Sequence, residues 1–290
     1  MNSTSTTRSD SSSGAAATRP GTVRVAAVQM ISSTRVEDNL ASAADLIGQA
    51  AAQGAALVVL PEYFCLMGRR DRDKVDIGEA DGHGPVQAFL AGQAKQHGLW
   101  LVGGTLPLRA PQADHVFNST LVYSPQGERV ARYDKIHLFA FAQGEESYDE
   151  SRTITPGHQA VMLDCRFGTV GLRLGLSVCY DLRFPELYRQ LAGADLLLVP
   201  AAFTATTGKA HWETLLKARA IENLCYVLAS AQGGRHENGR ATFGHSMLID
   251  PWGQVVASLP SGPGIVVGQI DPALIADCRA SLPALGHRVL

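Results

Sequence analysis

Charge is scarce in this chain. Charged residues make up 18% of the sequence and sum to −2, so there is no basic surface of the kind that nucleic acid requires. Long hydrophobic runs are also missing. No apolar stretch approaches the roughly 20 residues of a membrane-spanning helix, which argues against a membrane role. The nine histidines form no HExxH or similar arrangement, so no metal and no metal cofactor is indicated. No Gly-x-Gly-x-x-Gly turn links a strand to a helix. The nearest glycine pair, Gly103-Gly104, runs into Thr105-Leu106-Pro107, and a nicotinamide-dinucleotide enzyme is excluded on that ground. The five cysteines are Cys65, Cys165, Cys179, Cys225 and Cys278. An odd count without paired metal-ligand spacing predicts reduced thiols and a cytoplasmic protein.

Residues 1–20 are rich in Ser, Thr and Ala and lack the apolar core of a secretory signal. They are expected to form a disordered tail before one domain over residues 21–290. From residue 22 onward, strand and helix patterns alternate. Strand-like segments fall at 23–29, 56–60, 99–103, 116–123 and 128–133, then at 160–164, 170–178, 195–199, 225–230, 246–250, 255–258 and 264–270. Val36, Leu40, Ala44, Ile47 and Ala51 recur at helical spacing, and further helices are expected near 85–97, 184–192 and 209–223. Two similar halves, each with helices outside a sheet, suggest two stacked sheets between helical layers. The pattern alone does not separate this from a doubly wound sheet.

The most informative stretch runs from Leu176 to Leu187. A β-type segment ends in Cys179 and a helix-type segment follows from about Pro185. A thiol at such a junction is expected to gain thiolate character from backbone N–H groups and the helix dipole, and a thiolate can attack an electrophilic carbon. Two other segments end in the same way. The apolar run Val58-Val59-Leu60-Pro61 leads to Glu62, and Lys135 follows the strand-like segment that ends at Tyr133. In layered α/β folds, the edge where buried strands give way to loops is where sites are built. The three residue types fit one chemistry. A thiol needs a base to take its proton, and a glutamate can do that. A lysine can hold that glutamate and stabilise charge developing on a substrate.

These segments resemble the nitrilase superfamily of carbon–nitrogen hydrolases. Its Glu, Lys and Cys motifs appear in order as Leu60-Pro61-Glu62, Tyr133-Asp134-Lys135-Ile136-His137-Leu138-Phe139 and the run around Cys179. The resemblance spans about residues 23–287. It implies a four-layer αββα sandwich, with Glu62 as general base, Lys135 as electrostatic stabiliser and Cys179 as nucleophile. Family members often use a second glutamate after the lysine. Glu150 fits that place best, because Glu150-Ser151 precedes Pro156-Gly157, while Glu145 and Glu146 in the same loop compete for it.

Further runs narrow the resemblance. Gln232-Gly233-Gly234-Arg235-His236 and Gly244-His245-Ser246-Met247 look more like the deaminated glutathione amidase branch than the neighbouring ω-amidase branch. The loop 140–149 departs from the pattern common in that branch. The implied reaction is hydrolysis of a small amide through a cysteine thioester with release of ammonia. Nitriles and N-carbamoyl amides are alternative substrates. From another class, Cys179 could pair with His137, His211 or His245 in a Cys–His hydrolase or acyltransferase.

The backbone N–H of Tyr180 is expected to meet the oxyanion. Arg183 is expected either to pair with a substrate carboxylate or to form an ion pair with Glu186 or Asp181. Phe203 and Thr204 are candidates to line the pocket, and Glu213 is either a further carboxylate near Lys135 or an exposed helix residue. Phe184, Leu187, Tyr188 and Leu191 form an apolar stripe, from which a homodimer or larger homo-oligomer is expected.

Overall fold

The computed structural model describes Arg19, residues 21–144 and residues 146–289. The expected tail over residues 1–20 therefore lies, apart from Arg19, outside the described residues. In chain order the elements are β1 (Val23–Gln29), α1 (Val36–Ala52), β2 (Leu57–Val59), α2 (Asp73–Asp76), α3 (Pro85–His97), β3 (Trp100–Val102), β4 (Leu106–Arg109), β5 (Val116–Tyr123) and β6 (Arg129–Asp134). Then come β7 (Ala140–Gln143), β8 (Glu146–Asp149), β9 (Met162–Phe167), β10 (Val170–Leu176), α4 (Pro185–Gln190), β11 (Leu196–Ala201) and α5 (Ala205–Asn223). The chain closes with β12 (Tyr226–Ala231), β13 (Ser246–Ile249), β14 (Val255–Leu259), β15 (Gly264–Ile270) and α6 (Pro272–Ser281).

Two large sheets result. The first has the order β15-β1-β2-β3-β5-β4, with β6 also paired to β5. The second has the order β14-β13-β12-β11-β10-β9. Each is built around three parallel strands: β1, β2 and β3 in one, β10, β11 and β12 in the other. Strand periodicity explains the layering. On β1, Val23, Val25 and Ala27 face the second sheet, whereas Ala26 and Val28 face Leu46 and Ile47 of α1 and Leu90 of α3. On the far side, Trp212, Leu216 and Ala220 of α5 pack on the second sheet with Leu187 of α4. The arrangement is a four-layer αββα sandwich. Burying each such large apolar side chain contributes about 1.5–3 kcal/mol.

Strand β4 and the short helix α2 were not expected, and three further local features differ from the sequence reading. Segment 140–149, expected as a loop, forms the hairpin β7–β8, in which Phe141 pairs with Tyr148. Helix α5 begins four residues before the expected position, because the Thr204 hydroxyl accepts the Thr207 N–H at 3.3 Å and caps it. Helix α6 was not expected, although Asp271 caps it by accepting the Ala273 N–H at 2.9 Å and Pro272 opens it.

The proposed interface stripe is also corrected. Leu187, Tyr188 and Leu191 are buried in the chain's own core, and the Tyr188 hydroxyl bonds the Ser177 hydroxyl at 2.8 Å. The stripe exists to join α4 to the second sheet, so it gives no support to an oligomer. Among the described residues, no helix is long and apolar enough to cross a membrane.

Candidate active site

Glu62 stands three residues beyond the end of β2, on the first sheet. Its approach is tight. A Cβ on Gly104, which has φ +52°, would collide with the Pro61 carbonyl oxygen, so only glycine lets the two segments meet. The Glu62 carboxylate is buried and fully occupied. Oε1 accepts the Lys135 ammonium at 2.8 Å and the Asn118 amide at 2.9 Å, and Oε2 accepts the Ala202 N–H at 2.9 Å. Gln232, at the end of β12, donates to the Glu62 carbonyl at 3.1 Å. Both sheets thus hold this one residue in place.

Lys135 follows β6 and is wholly buried. Its backbone is clamped on both sides: its N–H donates to the Asn118 carbonyl at 3.0 Å, and its carbonyl accepts the Gly157 N–H at 2.9 Å. The ammonium donates to Glu62, and to both oxygens of Glu150 at 3.0 and 2.8 Å. Burial by itself would lower the lysine's pKa. The charges of Glu150, Glu62 and Cys179 outweigh it and raise the pKa above its ordinary value.

Glu150 opens a 3₁₀ turn directly after the β7–β8 hairpin. Besides Lys135, it accepts the Tyr63 hydroxyl and the Phe139 N–H, both at 2.7 Å. Burial pushes its carboxyl up, but the Lys135 charge and these hydrogen bonds prevail and hold it below the usual carboxylate range. Glu150 is therefore brought to the lysine as expected. Glu145 and the side chain of Glu146 lie outside the described residues.

Cys179 begins a 3₁₀ turn, Cys179–Arg183, with φ +50°, a left-handed conformation that costs a non-glycine residue about 1–3 kcal/mol. Asp181, completely buried, holds the turn. Its carboxylate accepts the Val178 N–H at 2.8 Å, the Tyr133 hydroxyl at 2.7 Å, the His137 N–H at 3.0 Å and the His137 ring Nδ1 at 2.7 Å. One carboxylate thus ties the cysteine segment to the lysine segment. The thiol itself is not a resting thiolate. Burial pushes it well above its ordinary pKa; the Glu62 charge, with which it is hydrogen-bonded, adds to this, and Lys135 only partly opposes it. The Ala202 N–H does favour the thiolate, as expected of a backbone donor, but it is outweighed by burial and the Glu62 charge.

The space at Cys179 is small. A cavity of about 10 Å³, room for about one water, is walled by Cys179, Phe139, Tyr180, Ala202, Phe203, Thr204 and Thr207. Tyr180, Phe203 and Thr204 therefore border the thiol. A second cavity, of about 500 Å³, shares Phe139 and opens beside Tyr63 and Glu150.

Arg183 lines neither cavity and pairs with neither Glu186 nor Asp181. Its guanidinium lies 3.3 Å from His211 Nδ1 and over the rings of Tyr180 and Phe203. Glu213 is exposed and pairs with Lys217 at 2.6 Å, one helical turn along α5. The three histidines are held elsewhere: His137 by Asp181 and a stack on Phe184, His211 by Arg183, and His245 by the Phe243 carbonyl.

Asn118, Tyr63 and Ala202 were missed as groups holding the carboxylates, Gln232 as the donor to the Glu62 backbone carbonyl, and Asp181 was weighed only as an ion-pair partner. Asp181 alone had a local signal: an aspartate two residues after the cysteine can bond the backbone of a tight turn. Among the described residues, no group of three or more potential ligands is placed to hold a metal.

A carboxylate, an ammonium and a thiol are gathered at the strand ends of two stacked sheets. The carbon–nitrogen hydrolase family profile matches residues 24–280, and the chain belongs to that family. It is 43% identical over 270 residues to a deaminated glutathione amidase of Synechocystis, covering 91% of this chain and 97% of that protein. The structure superposes on the nitrilase and fragile histidine triad fusion protein NitFhit of Caenorhabditis elegans with a TM-score of 0.85 and 38% identity, over 93% of this chain and 65% of that one. It also resembles an amidase of Nesterenkonia sp. AN1 that carries acrylamide at its active-site cysteine, with a TM-score of 0.73 and 30% identity over 90% of this chain and 98% of that one.

Proposed function

We propose that the chain is an amidase with a Glu62–Lys135–Cys179 triad, supported by Glu150, and that its substrate is deaminated glutathione or a similar ω-amide of a keto acid. The observation that carries the chemistry is the Lys135 ammonium bonded to Glu62 and Glu150 beside a Cys179 thiol hydrogen-bonded to Glu62. The 43% identity to a deaminated glutathione amidase carries the substrate class.

The steps follow from the resting protonation. The thiol is neutral, so proton removal and attack are coupled: Glu62 takes the Sγ proton as sulfur bonds to the amide carbon. The carbonyl electron pair moves to oxygen, which meets the Tyr180 N–H and the fixed positive charge of Lys135. Collapse expels the nitrogen, which leaves with the proton held on Glu62, and a thioester remains on Cys179. Glu62 then takes a proton from water, the hydroxyl adds to the thioester carbon, and the thiol departs with that proton. The sequence reading expected ammonia as leaving group. That holds for a primary amide, whereas deaminated glutathione has only secondary amides and would release an amine. The alternative Cys–His chemistry lacks support, because His137, His211 and His245 are each held by another group.

The test is product release from deaminated glutathione, a primary ω-amide of a keto acid, an N-carbamoyl amino acid and a simple nitrile, read as both ammonia and free amine. Cys179→Ala is expected to lose at least about 10⁴-fold in turnover. Preference for the nitrile, or substantial turnover by that variant with thermal stability retained, would overturn the reading.

A further inference from the structure

The cavity of about 500 Å³ beside Glu150 has a wall chemistry that the proposed reaction steps do not use. Four of its cations, Arg69, Lys74, Arg235 and Arg240, form no ion pair among the described residues, against one unpaired acid, Asp71. Arg70 and Arg152, on the same wall, are committed to Asp73 and Asp149. Two of the four lie beside residues that touch the carboxylate cluster. The Arg240 guanidinium lies over the Tyr148 ring at 4.9 Å and donates to the Ala202 carbonyl at 3.2 Å. Ala202 is the residue whose N–H holds Glu62. Arg240 Nε is buried without any acceptor. Lys74 lies 5.9 Å from the centre of the Tyr63 ring, and its ammonium has one long hydrogen bond, 3.3 Å to the Thr153 hydroxyl. Burial lowers its pKa from the ordinary lysine value, which makes a bound counter-anion worth more to it. The catalytic cluster provides the complementary reason. Two carboxylates around one ammonium leave a net negative charge that repels an acidic substrate, unless cations meet the acid group elsewhere.

We propose that Lys74 and Arg240 form a carboxylate subsite for the acid group that a dicarboxylic acid monoamide carries at the end away from its amide. Arginine's fork suits a carboxylate's two oxygens, and the lysine adds a point charge. The inference rests on the amidase reading for its substrate class, but its test does not depend on turnover.

Cys179 is alkylated with iodoacetamide, a neutral reagent, while glutarate is titrated as a protecting ligand. Wild-type protein is expected to be protected. Lys74→Gln and Arg240→Gln are each expected to raise the half-protecting glutarate concentration about tenfold or more, the loss of one charge-assisted hydrogen bond, and Lys74→Arg to restore most of it. Should one neutral variant fail to fold, the other carries the test. An unchanged half-protecting concentration in the variants, or no protection of the wild type, overturns the subsite. Hydrolysis of α-ketoglutaramate is measured alongside. Protection without hydrolysis would defeat the amidase reading and leave the subsite standing, and hydrolysis without protection would do the reverse.

Discussion

The two sides of Glu150 obey opposite rules. On one side, Glu62, Lys135 and Cys179 are shut away from solvent, and every charged oxygen or nitrogen has a partner. On the other, a solvent-connected cavity is walled by cations, several with no counter-ion. The difference follows from dielectric environment. A charge taken out of water must be paired or it costs several kcal/mol, so the inner cluster is a closed set in which no member can be spared. On the outer wall Arg69 and Arg235 are exposed and keep their water, whereas Lys74 and Arg240 are partly buried without a counter-ion among the described residues, and a ligand carboxylate would supply the missing partner. On the proposed reading, the inner cluster specifies the reaction and the outer wall is free to specify what reaches it.

That contrast can be broken most directly at its centre. Lys135→Met leaves Glu62 and Glu150 facing each other without a cation. The expected result is loss of turnover and a stability loss of about 3–5 kcal/mol at neutral pH, measured by urea unfolding. The deficit should shrink as pH falls, because an unpaired buried carboxylate destabilises only while ionised. A variant as stable as the wild type would show that the carboxylates do not depend on the lysine.

Glu150→Gln keeps the shape and removes one charge. Turnover should fall about 10- to 100-fold, mainly in kcat, since the altered bonds reach Lys135 rather than the substrate end. An effect confined to KM would move Glu150 to the cavity side of the comparison. Asp181→Asn tests the turn that carries Cys179. One of its oxygens is replaced by a donor facing Val178 N–H and Tyr133 or the His137 pair. A stability loss of about 1–3 kcal/mol is expected, together with slower alkylation of Cys179. Stability loss with unchanged alkylation would reduce Asp181 to a purely structural role.

The smallest effects come from pH. Since the Cys179 thiol is raised above its ordinary value, its alkylation rate should show no thiolate plateau near neutrality and should still climb above about pH 9. Glu150 is depressed in the folded protein, so the stability it contributes is present above the ordinary carboxylate range and is lost as pH falls through its lowered value. Lys135 is raised, so its contribution is present below the ordinary lysine value and is lost only as pH rises beyond it. Acid titration of unfolding stability should therefore show a loss at low pH that Glu150→Gln removes. Persistence of that loss in the variant would assign it to other carboxylates.

Much of the inner side was legible in advance. Glu62 follows the apolar strand β2 and Cys179 the buried end of β10, where a burial requirement leaves a visible run in the chain, whereas Lys135 follows β6, a half-exposed strand with two arginines, and was legible through its motif. Glu150 was placed through the Pro156-Gly157 landmark, and Gly157 is indeed pressed against Lys135: its N–H bonds the Lys135 carbonyl, and a Cβ there would meet the Asp134 carbonyl. The outer side was not legible. Lys74 sits at the short helix α2, and Arg240 between β12 and β13, on segments whose composition reads as ordinary solvated surface. The ion pair weighed for Arg183 does not form, because proximity in sequence to Glu186 and Asp181 does not say which way a side chain leaves a 3₁₀ turn.

The sequence by itself determined the layers and the chemistry. Period-two burial made the stacked sheets, helical stripes covered them, and strand ends supplied an acid, a cation and a thiol. Only the tertiary structure decided the state of that chemistry. Whether Cys179 rests as thiol or thiolate depends on burial and on the distance to Glu62, and Glu62 is positioned by Ala202 and Gln232 from the other sheet, 140 and 170 residues away in the chain. Such non-local contacts leave no periodic trace, because the electrostatic environment of a group is set by what surrounds it in space and not by its neighbours along the backbone.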